Sequence, residues 1–534
     1  MNKTVLITTS GIGQRLGNIT KYTNKSLINV GDKYAICHII EQYNIDTEFV
    51  ITLGYYGDLV KDFLLLAYPT RKFIFVEIDN YVGEGSSLVY SISKTKNVLQ
   101  KPFIFHCCDA IVLDDVSFED NKNILCVYKM DNSKQYTNIK VKENTIIEIN
   151  RKNHPDFDYI YTGISHINDY SVFWNNLESI YNNDKLNQQL SDVDIIRKMI
   201  QQDNINFEYI VLNKWYDTGN IDSYNEIKKI FKAEYTVLDK NNESLCFFDD
   251  VVIKFINDSH INKKRIERGN ALYPLTPKII NYSNNFILME KVEGTVLSEY
   301  YNHGEIYKLL NWANTNLWTN KKNDSIFKDN CYNFYIKKTL KRIGELSFTH
   351  LNIPQDVNGK LLPINQEINN INGINIGNIF ELINKIDLNL LITDSFFHFH
   401  GDFILDNIIK TTDSFKLIDW RHEFDNQLEY GDIYYDLAKL KHNIIFNHKN
   451  VSSGLYEIIY EKDSIKLDLK CNYFLIQQLY DFEKFIVEQN LNLNKINIIT
   501  SLIWLNMSPL YEGKLSEFLF YFGKYNLYLA INNM

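Results

Sequence analysis

Polar residues set at fixed spacing inside apolar sequence restrict a fold more tightly than composition does. One such stretch is His398-Phe-His-Gly-Asp-Phe-Ile-Leu-Asp-Asn-Ile-Ile409, followed by Phe415-Lys-Leu-Ile-Asp-Trp-Arg421. Two apolar runs, Phe403 to Leu405 and Ile408 to Ile409, bracket polar residues that a core would not ask for. Asp402 and Asn407 stand five positions apart, and Asp419 sits inside a hydrophobic strand pattern. A surface loop followed by an edge strand with one chance Asp accounts for this only by coincidence of three residue types at two spacings. Phosphoryl transfer uses the set directly. One carboxylate orients the attacking hydroxyl, while an amide and a second carboxylate hold magnesium on the nucleotide phosphates.

At 534 residues the chain exceeds what one hydrophobic core organises, so more than one domain is expected. A formal charge of -10 and a pI of about 5.7 argue against a nucleic-acid backbone as partner, yet leave nucleotide binding open. The seven cysteines form no Cys-x-x-Cys pair, which suits free thiols in a reducing cytosol. The N-terminus lacks the pattern of a secretory signal, and no apolar run approaches a membrane span. A cytoplasmic protein is the expectation.

The N-terminal third has its own signal. A short β-branched run, Lys3 to Thr9, ends at Ser10-Gly11-Ile-Gly13-Gln-Arg15, and Lys25 follows ten residues after Arg15. A strand running into a Gly-rich turn opens a nucleotide site at the carboxyl end of an α/β sheet. Gly11 and Gly13 let backbone N–H groups approach phosphate oxygens, and Arg15 and Lys25 supply charge. The spacing matches neither a dinucleotide fingerprint nor a Walker A loop, and a tight turn with solvated basic residues is the bland alternative. Strands alternate with helical stretches across 1–232, including Phe49-Val-Ile-Thr-Leu-Gly54, Phe73-Ile-Phe-Val76 and Pro102-Phe-Ile-Phe-His-Cys-Cys-Asp109.

These segments, in this order, resemble the nucleotidyltransferases that activate sugar phosphates and choline phosphate. The resemblance implies a doubly wound, Rossmann-like domain over 1–232. Gly83, Gly85 and Ser86, in Gly83-Glu-Gly-Ser-Ser-Leu88, correspond to the family's turn near the base. Asp109 and Asp217, the latter in Trp215-Tyr-Asp-Thr-Gly219, correspond to its magnesium ligands. Where sugar-1-phosphate members carry Glu-Lys-Pro, this chain has Arg151-Lys152-Asn153. Lys152 remains available for the acceptor phosphate, and the missing Glu favours the choline-phosphate branch, with CTP the expected donor and UTP or dTTP left open.

Downstream, Val251-Val-Ile-Lys254-Phe-Ile256 places a Lys in a β-branched strand, where an ammonium needs a partner. Glu267, in the charged helical stretch after Asn262, is the expected one, and a solvent-facing Lys on an edge strand is the alternative. With His398-Phe-His-Gly-Asp402 and Ile418-Asp419-Trp420, this order resembles protein-kinase-like folds of the aminoglycoside phosphotransferase and choline kinase branch. The resemblance implies a two-lobed domain over 233–534, with an N-lobe near 233–293 and a C-lobe near 294–534. Glu290 would lie at the adenine hinge, and Asp432 would cap a helix. No Gly-rich loop precedes Lys254, a departure from the pattern. Residues 304–350, 360–395 and 440–534 are expected to be mostly helical, with an exposed Asn-rich loop near 364–378.

Together the two halves imply a bifunctional magnesium enzyme. ATP phosphorylates a small alcohol or amino alcohol, with Asp402 orienting the hydroxyl and Asn407 and Asp419 holding the metal. A second NTP, expected to be CTP, then donates its nucleotidyl group to that phosphate, making an activated precursor for a surface polysaccharide. One alternative is a sugar-1-phosphate nucleotidyltransferase with a regulatory, ligand-binding kinase-like domain. A nucleotide-sensing scaffold without catalysis is the third.

Overall fold

Buried at every position, Thr4–Thr8 (β1) has the continuous apolar character of a strand covered on both faces. The computed structural model describes residues 3–131, 133–150, 152, 154–233, 242–300, 302–346, 367–447, 451–461, 463–470 and 473–533. It divides the chain into two units: Met1–Asn262 with Ile280–Lys291, and Lys263–Ile279 with Val292–Met534.

In the first unit, β1 is joined by β2 (Glu48–Leu53), β3 (Lys72–Glu77), β4 (Phe103–Cys107), β5 (Asn123–Tyr128), β6 (Asn138–Lys142), β7 (Thr145–Asn150), β8 (Tyr159–Ile167) and β9 (Phe207–Leu212). The nine strands lie in the order β3-β2-β1-β4-β8-β5-β9-β7-β6. The stretch β3-β2-β1-β4 is parallel, and β8 runs antiparallel to both β4 and β5. Helices α1 (Ala35–Glu41), α2 (Gly57–Ala67) and α3 (Leu88–Ser93) make the crossovers that parallel neighbours require. Alternation along β1 sorts its side chains between two cores. Val5 and Ile7 join Ile36, Val60 and Phe63, whereas Leu6 joins Val89, Ile92 and Trp174. The N-terminal fold is thus a Rossmann-like α/β sheet with covered faces, as expected. Its parallel strands β1 and β4 end at Thr8 and Cys107, which brings the Gly-rich turn and Asp109 to one edge.

The expected break at 232/233 does not coincide with the edge of this unit. A second sheet, β10 (Glu243–Phe247), β11 (Val251–Ile256), β12 (Ile279–Tyr282) and β13 (Phe286–Glu290), has the order β10-β11-β13-β12. Its apolar face supplies Cys246, Ile253, Phe255 and Phe286 to the core containing Phe63. The Phe286 ring lies 5.8 Å from Phe63 and 5.3 Å from Phe255. Tyr34 Oη and Ser244 Oγ are 2.7 Å apart, and Asn29 Nδ2 donates to the Leu245 carbonyl at 2.7 Å. Burial of that apolar face decides which core the sheet completes.

The second unit is largely helical. It includes the C-terminal part of α4 (Ser259–Leu272), then α5 (Lys338–Gly344), α6 (Ile433–Ile445), α7 (Leu493–Met507) and α8 (Gly513–Ile531). Gly523 allows α8 to approach α7: a Cβ there would lie 2.9 Å from Leu505 Cγ and 3.0 Å from the Ser501 carbonyl. Two expectations change. Within the stretch expected to be helical, Tyr456–Tyr460 and Ser464–Leu469 pair as an antiparallel hairpin, whose alternation has the strand period of two. In the Asn-rich stretch, Asn370–Ile371 and Ile374–Asn375 form a tight hairpin with Ile371 buried. Of the stretches expected to be helical, 347–350 and 360–366 lie outside the described residues. Among the described residues no helix is long and apolar enough to cross a membrane.

Phe286→Ala should lower the stability of the first unit by about 3–5 kcal/mol, since it empties a site between the second sheet and α2. Urea unfolding followed by intrinsic fluorescence checks this, and an unchanged midpoint would contradict the packing described.

Candidate active sites

Asp109 and Asp217 are far apart in sequence, and a short ladder brings them together. Ala110–Val112 pairs antiparallel with Trp215–Asp217, placing Asp217 opposite Ala110. The Thr218 N–H extends the ladder by donating to the Asp109 carbonyl at 2.8 Å. Gly219 then occupies the gap between the carboxylates. A Cβ at Gly219 would lie 2.9 Å from both Asp109 Oδ2 and Asp217 Oδ1, and 3.2 Å from Arg15 Nη2. Two carboxylates and a guanidinium therefore face one methyl-sized space.

Each carboxylate is held. Asp217 accepts from the Gly219 N–H at 2.8 Å, the Tyr136 hydroxyl at 3.0 Å and Asn220 Nδ2 at 3.1 Å. Lys25 Nζ donates to Asp109 Oδ2 at 3.2 Å. Asn24 fixes the turn that carries Lys25: its Nδ2 donates to the Thr9 and Tyr55 carbonyls, and its Oδ1 accepts from the Ser26 N–H. Gly13 takes a left-handed φ of 67°, and a Cβ there would press on Lys25 Cβ at 3.1 Å. That close approach suits glycine on both counts.

The two aspartates titrate in opposite directions. Burial opposes the charge on Asp109, but Lys25, with help from Arg15, holds its carboxyl below the usual range. Burial and then the Asp109 charge push Asp217 up, only partly offset by the Gly219 amide and Tyr136. Burial also opposes the charge on Lys25, yet Asp109 keeps that ammonium well above its ordinary value. A carboxylate pair facing a common space fits a hard divalent cation. Among the described residues no three His, Cys, Asp or Glu side chains gather as a protein-only metal cage.

Lys152 reaches the same neighbourhood, where burial and the nearby Arg15 push its ammonium down while Asp217 opposes them. Its neighbours Arg151 and Asn153 lie outside the described residues. Gly11 precedes Gly13 on the turn after β1. Gly83 and Gly85, at φ 84° and 77°, and Ser86, whose hydroxyl donates to the Gly83 carbonyl at 2.6 Å, form a separate turn before α3. Among the described residues, no hydrogen bond ties that turn to the carboxylates.

In the second unit the His-Gly-Asp loop is bound from below. Asp436, on α6, accepts from the His400 N–H at 2.7 Å and the Gly401 N–H at 2.6 Å, and Trp318 Nε1 donates to it at 3.1 Å. Burial outweighs these donors and pushes its carboxyl up to about 6. The loop presents Asp402, which pairs with Lys439 Nζ at 2.7 Å. Asn407 Nδ2 donates to the Asp402 carbonyl at 3.0 Å and to its Oδ2 at 3.1 Å, leaving Asn407 Oδ1 as an acceptor. Burial opposes the Asp402 charge, Lys439 overrides it, and its carboxyl ends below the usual range. Asp419, at φ 52°, pairs with Arg265 of α4. Asp402 and Asp419 both act electrostatically on His400, so the three share one neighbourhood. Asp432 caps α6, accepting from the Tyr434 N–H at 3.0 Å, and pairs with Lys495 at 3.0 Å.

The expected Lys254 partner needs correction. Lys254 Nζ lies 3.3 Å from Glu243 Oε2, on the strand beside β11, while Glu267 is exposed on α4. Arg265 and Arg268, three residues apart, share the inward helix face, and Glu267 falls outside it. Glu290 ends β13 in the first unit. Sequence reasoning passed over Lys439, Arg265, Tyr136 and Asn220. Lys439 alone carried a usable signal, a cation inside the apolar run Leu437-Ala-Lys-Leu440.

No family model matches the chain. Over 150 residues, 28% of this chain, it is 27% identical to the bifunctional protein GlmU of Campylobacter lari, and the match spans 34% of that relative. The chain thus covers about a third of the length of this curated relative. Solved structures similar to it include CTP:phosphocholine cytidylyltransferase from Streptococcus pneumoniae, 15% identical, covering 43% of this chain and 100% of that one at a TM-score of 0.38. The inositol-1-phosphate CTP transferase from T. maritima is 16% identical, covering 44% of this chain and 98% of that one at 0.36. A UDP-glucose pyrophosphorylase bound to UDP-glucose is 16% identical, covering 43% and 98% at 0.36.

His400 links the second site to pH. It is buried, with Nε2 bonded to the Ile418 carbonyl and Nδ1 accepting from the Asp402 N–H. Protonation would place a second donor against that N–H. Burial is the largest cause that lowers its pKa from 6.5 to about 4. The folded value is depressed, so its contribution is complete above pH 6.5 and is lost as pH falls through about 4. His400→Gln should flatten the loss of urea resistance across that window relative to the parent protein; parallel pH profiles would contradict this.

Proposed function

We propose that the chain is a two-site transferase: the first unit transfers a nucleotidyl group to a phosphomonoester, and residues centred on Asp402 make that phosphomonoester from an alcohol and ATP. The observation that carries the reading is the convergence of Asp109, Asp217 and Arg15 on one methyl-sized space, with Lys25 bonded to Asp109. That arrangement suits displacement at phosphorus, where catalysis is positioning and charge neutralisation.

In the first site, Asp109 and Asp217 would hold magnesium, which when bound spreads the negative charge of the phosphates. Arg15 and Lys25 neutralise the triphosphate oxygens, and Lys152 meets the incoming phosphate of the acceptor. That phosphate oxygen attacks the α-phosphorus as the bond to pyrophosphate breaks. CTP is the favoured donor, because the Glu that would grip sugar hydroxyls beside Lys152 is missing from the sequence.

In the second site, Asp402 accepts the proton of the alcohol as its oxygen bonds the γ-phosphorus of ATP and ADP leaves. Asn407 Oδ1 and Asp419 would be the oxygen donors for a cation. The product of this step has the chemical form the first site consumes. An activated precursor for a surface polysaccharide is the corresponding cellular role, and an alcohol or amino alcohol the acceptor.

Asp402→Ala should reduce ATP-dependent phosphorylation at least about 100-fold, while nucleotidyl transfer to a supplied phosphomonoester persists. Asp109→Ala should do the reverse. Mass detection of new nucleotide-linked products from ATP, the other NTPs and pooled alcohols checks both, and loss of both reactions from either substitution in a folded protein would contradict two separate sites.

A further inference from the structure

Four basic side chains gather beside Asp402. Lys338 and Arg342 lie one turn apart on α5, so they share a helix face. Arg421 follows Asp419-Trp420, and its N–H donates to the His400 carbonyl at 3.1 Å. Lys338 Nζ lies 4.2 Å from the centroid of the Phe334 ring, and the Arg421 guanidinium lies 4.9 Å from the same centroid. Lys439, paired with Asp402, is the fourth.

None of these four is fully exposed, and the carboxylates near them are few. Asp402 is matched to Lys439. Asp425 is the acidic group near Lys338, and its Oδ2 already accepts from Asn330 and Asn333 at 3.1 Å each. Arg342 donates to the Asn506 carbonyl at 2.7 Å, a neutral partner, and the acidic group near it is the exposed Glu345. Among the described residues Lys338 makes no ion pair. Burial is the largest cause, followed by Arg421, Arg342 and Lys439, that pushes its ammonium down to about 6. A half-buried cluster with this excess of positive charge repels a cationic ligand and gains from an anion that pairs with it.

We propose that Lys338, Arg342 and Arg421 bind the acceptor through an anionic group, so that the alcohol phosphorylated at Asp402 carries a carboxylate or a phosphate. This rests on the phosphotransferase reading of the second site and narrows it, disfavouring amino alcohols such as choline. The reaction keeps its balance: the acceptor hydroxyl gives its proton to Asp402, its oxygen bonds the γ-phosphorus, the bond to ADP breaks, and the distal anion stays on the basic cluster.

The full chain, given ATP and magnesium, is assayed with glycerate and glycerol phosphate as anionic acceptors, glycerol as a neutral one, and choline and ethanolamine as cationic ones. Product mass and ADP release are the readouts. An anionic acceptor should exceed the neutral and cationic ones in kcat/KM by at least about tenfold, and the better of glycerate and glycerol phosphate identifies carboxylate or phosphate. Lys338→Met and Arg342→Gln should each raise its KM about tenfold, with the KM for ATP unchanged, and Lys338→Arg should restore it. A neutral or cationic acceptor used equally well overturns the proposal and leaves the phosphotransferase reading intact. No phosphorylation of any acceptor by protein that still transfers nucleotidyl groups overturns that reading instead. Calorimetric titration with glycerate and with inorganic phosphate then decides the cluster: weaker binding to Lys338→Met than to the parent supports an anion site, and equal or no binding overturns it.

Discussion

Like charges facing one another across a gap of a single methyl group form the constraint on which the first unit depends. Asp109 and Asp217 reach that gap because two short strands pair and because residue 219 has no side chain. Their repulsion is visible in Asp217, which burial and Asp109 together push up. The Gly219 amide holds one oxygen of Asp217 and Tyr136 and Asn220 hold the other, so its direction is fixed by the protein. Removing either carboxylate would relieve repulsion, so both are retained against local electrostatic cost. Such tension is characteristic of sites that receive cations.

The second unit meets the parallel problem of presenting a carboxylate by a backbone method. Asp436 gathers two consecutive amides of the His-Gly-Asp loop, and Arg268 donates to the Arg421 and Phe399 carbonyls on either side of it. Gly401 takes φ 85°, and a Cβ there would lie 2.6 Å from Arg421 Cβ. The loop therefore has little freedom, and Asp402 inherits that rigidity. A positioned carboxylate of this kind loses little entropy when it meets a hydroxyl.

The parallel sheet was legible because it leaves a local mark, a β-branched run ending in Gly or Asp, whereas the meeting of Asp109 with Asp217 was implied only by the resemblance of Trp-Tyr-Asp-Thr-Gly to a nucleotidyltransferase element. The boundary at 232 was not. The strand Val251–Ile256 shows alternation but not which core its apolar face completes, and only burial beside Phe63 assigns it to the first unit. The direction of α4 was equally opaque. Lys263, Lys264, Arg265, Glu267 and Arg268 form one charged run, and helical phase within it decides that Arg265 and Arg268 turn inward while Glu267 faces solvent. The hairpin after Tyr456 was hidden for a different reason, since an aromatic-rich stretch suits a helix and a strand alike.

A common device joins the two sites. Asp109 is paired with Lys25, Asp402 with Lys439 and Asp419 with Arg265, so three of the four carboxylates assigned to the chemistry already have a basic partner, Asp217 being held by neutral donors instead. Unpaired, these half-buried acids would lose their charge by protonation, and an uncharged carboxyl neither grips a cation nor takes a proton from a hydroxyl. Lys25 and Lys439 both keep pKa values above the ordinary one despite burial, so each pair stays ionised without a ligand. On the proposed function, arriving phosphates would give the cations a second anion to meet and release the carboxylates toward metal or hydroxyl with their charge intact. The basic side chains thus preserve ionisation in the resting protein and, on the proposed function, would supply phosphate contacts in the loaded one, which accounts for Lys25 being bonded to Asp109 rather than left to solvent.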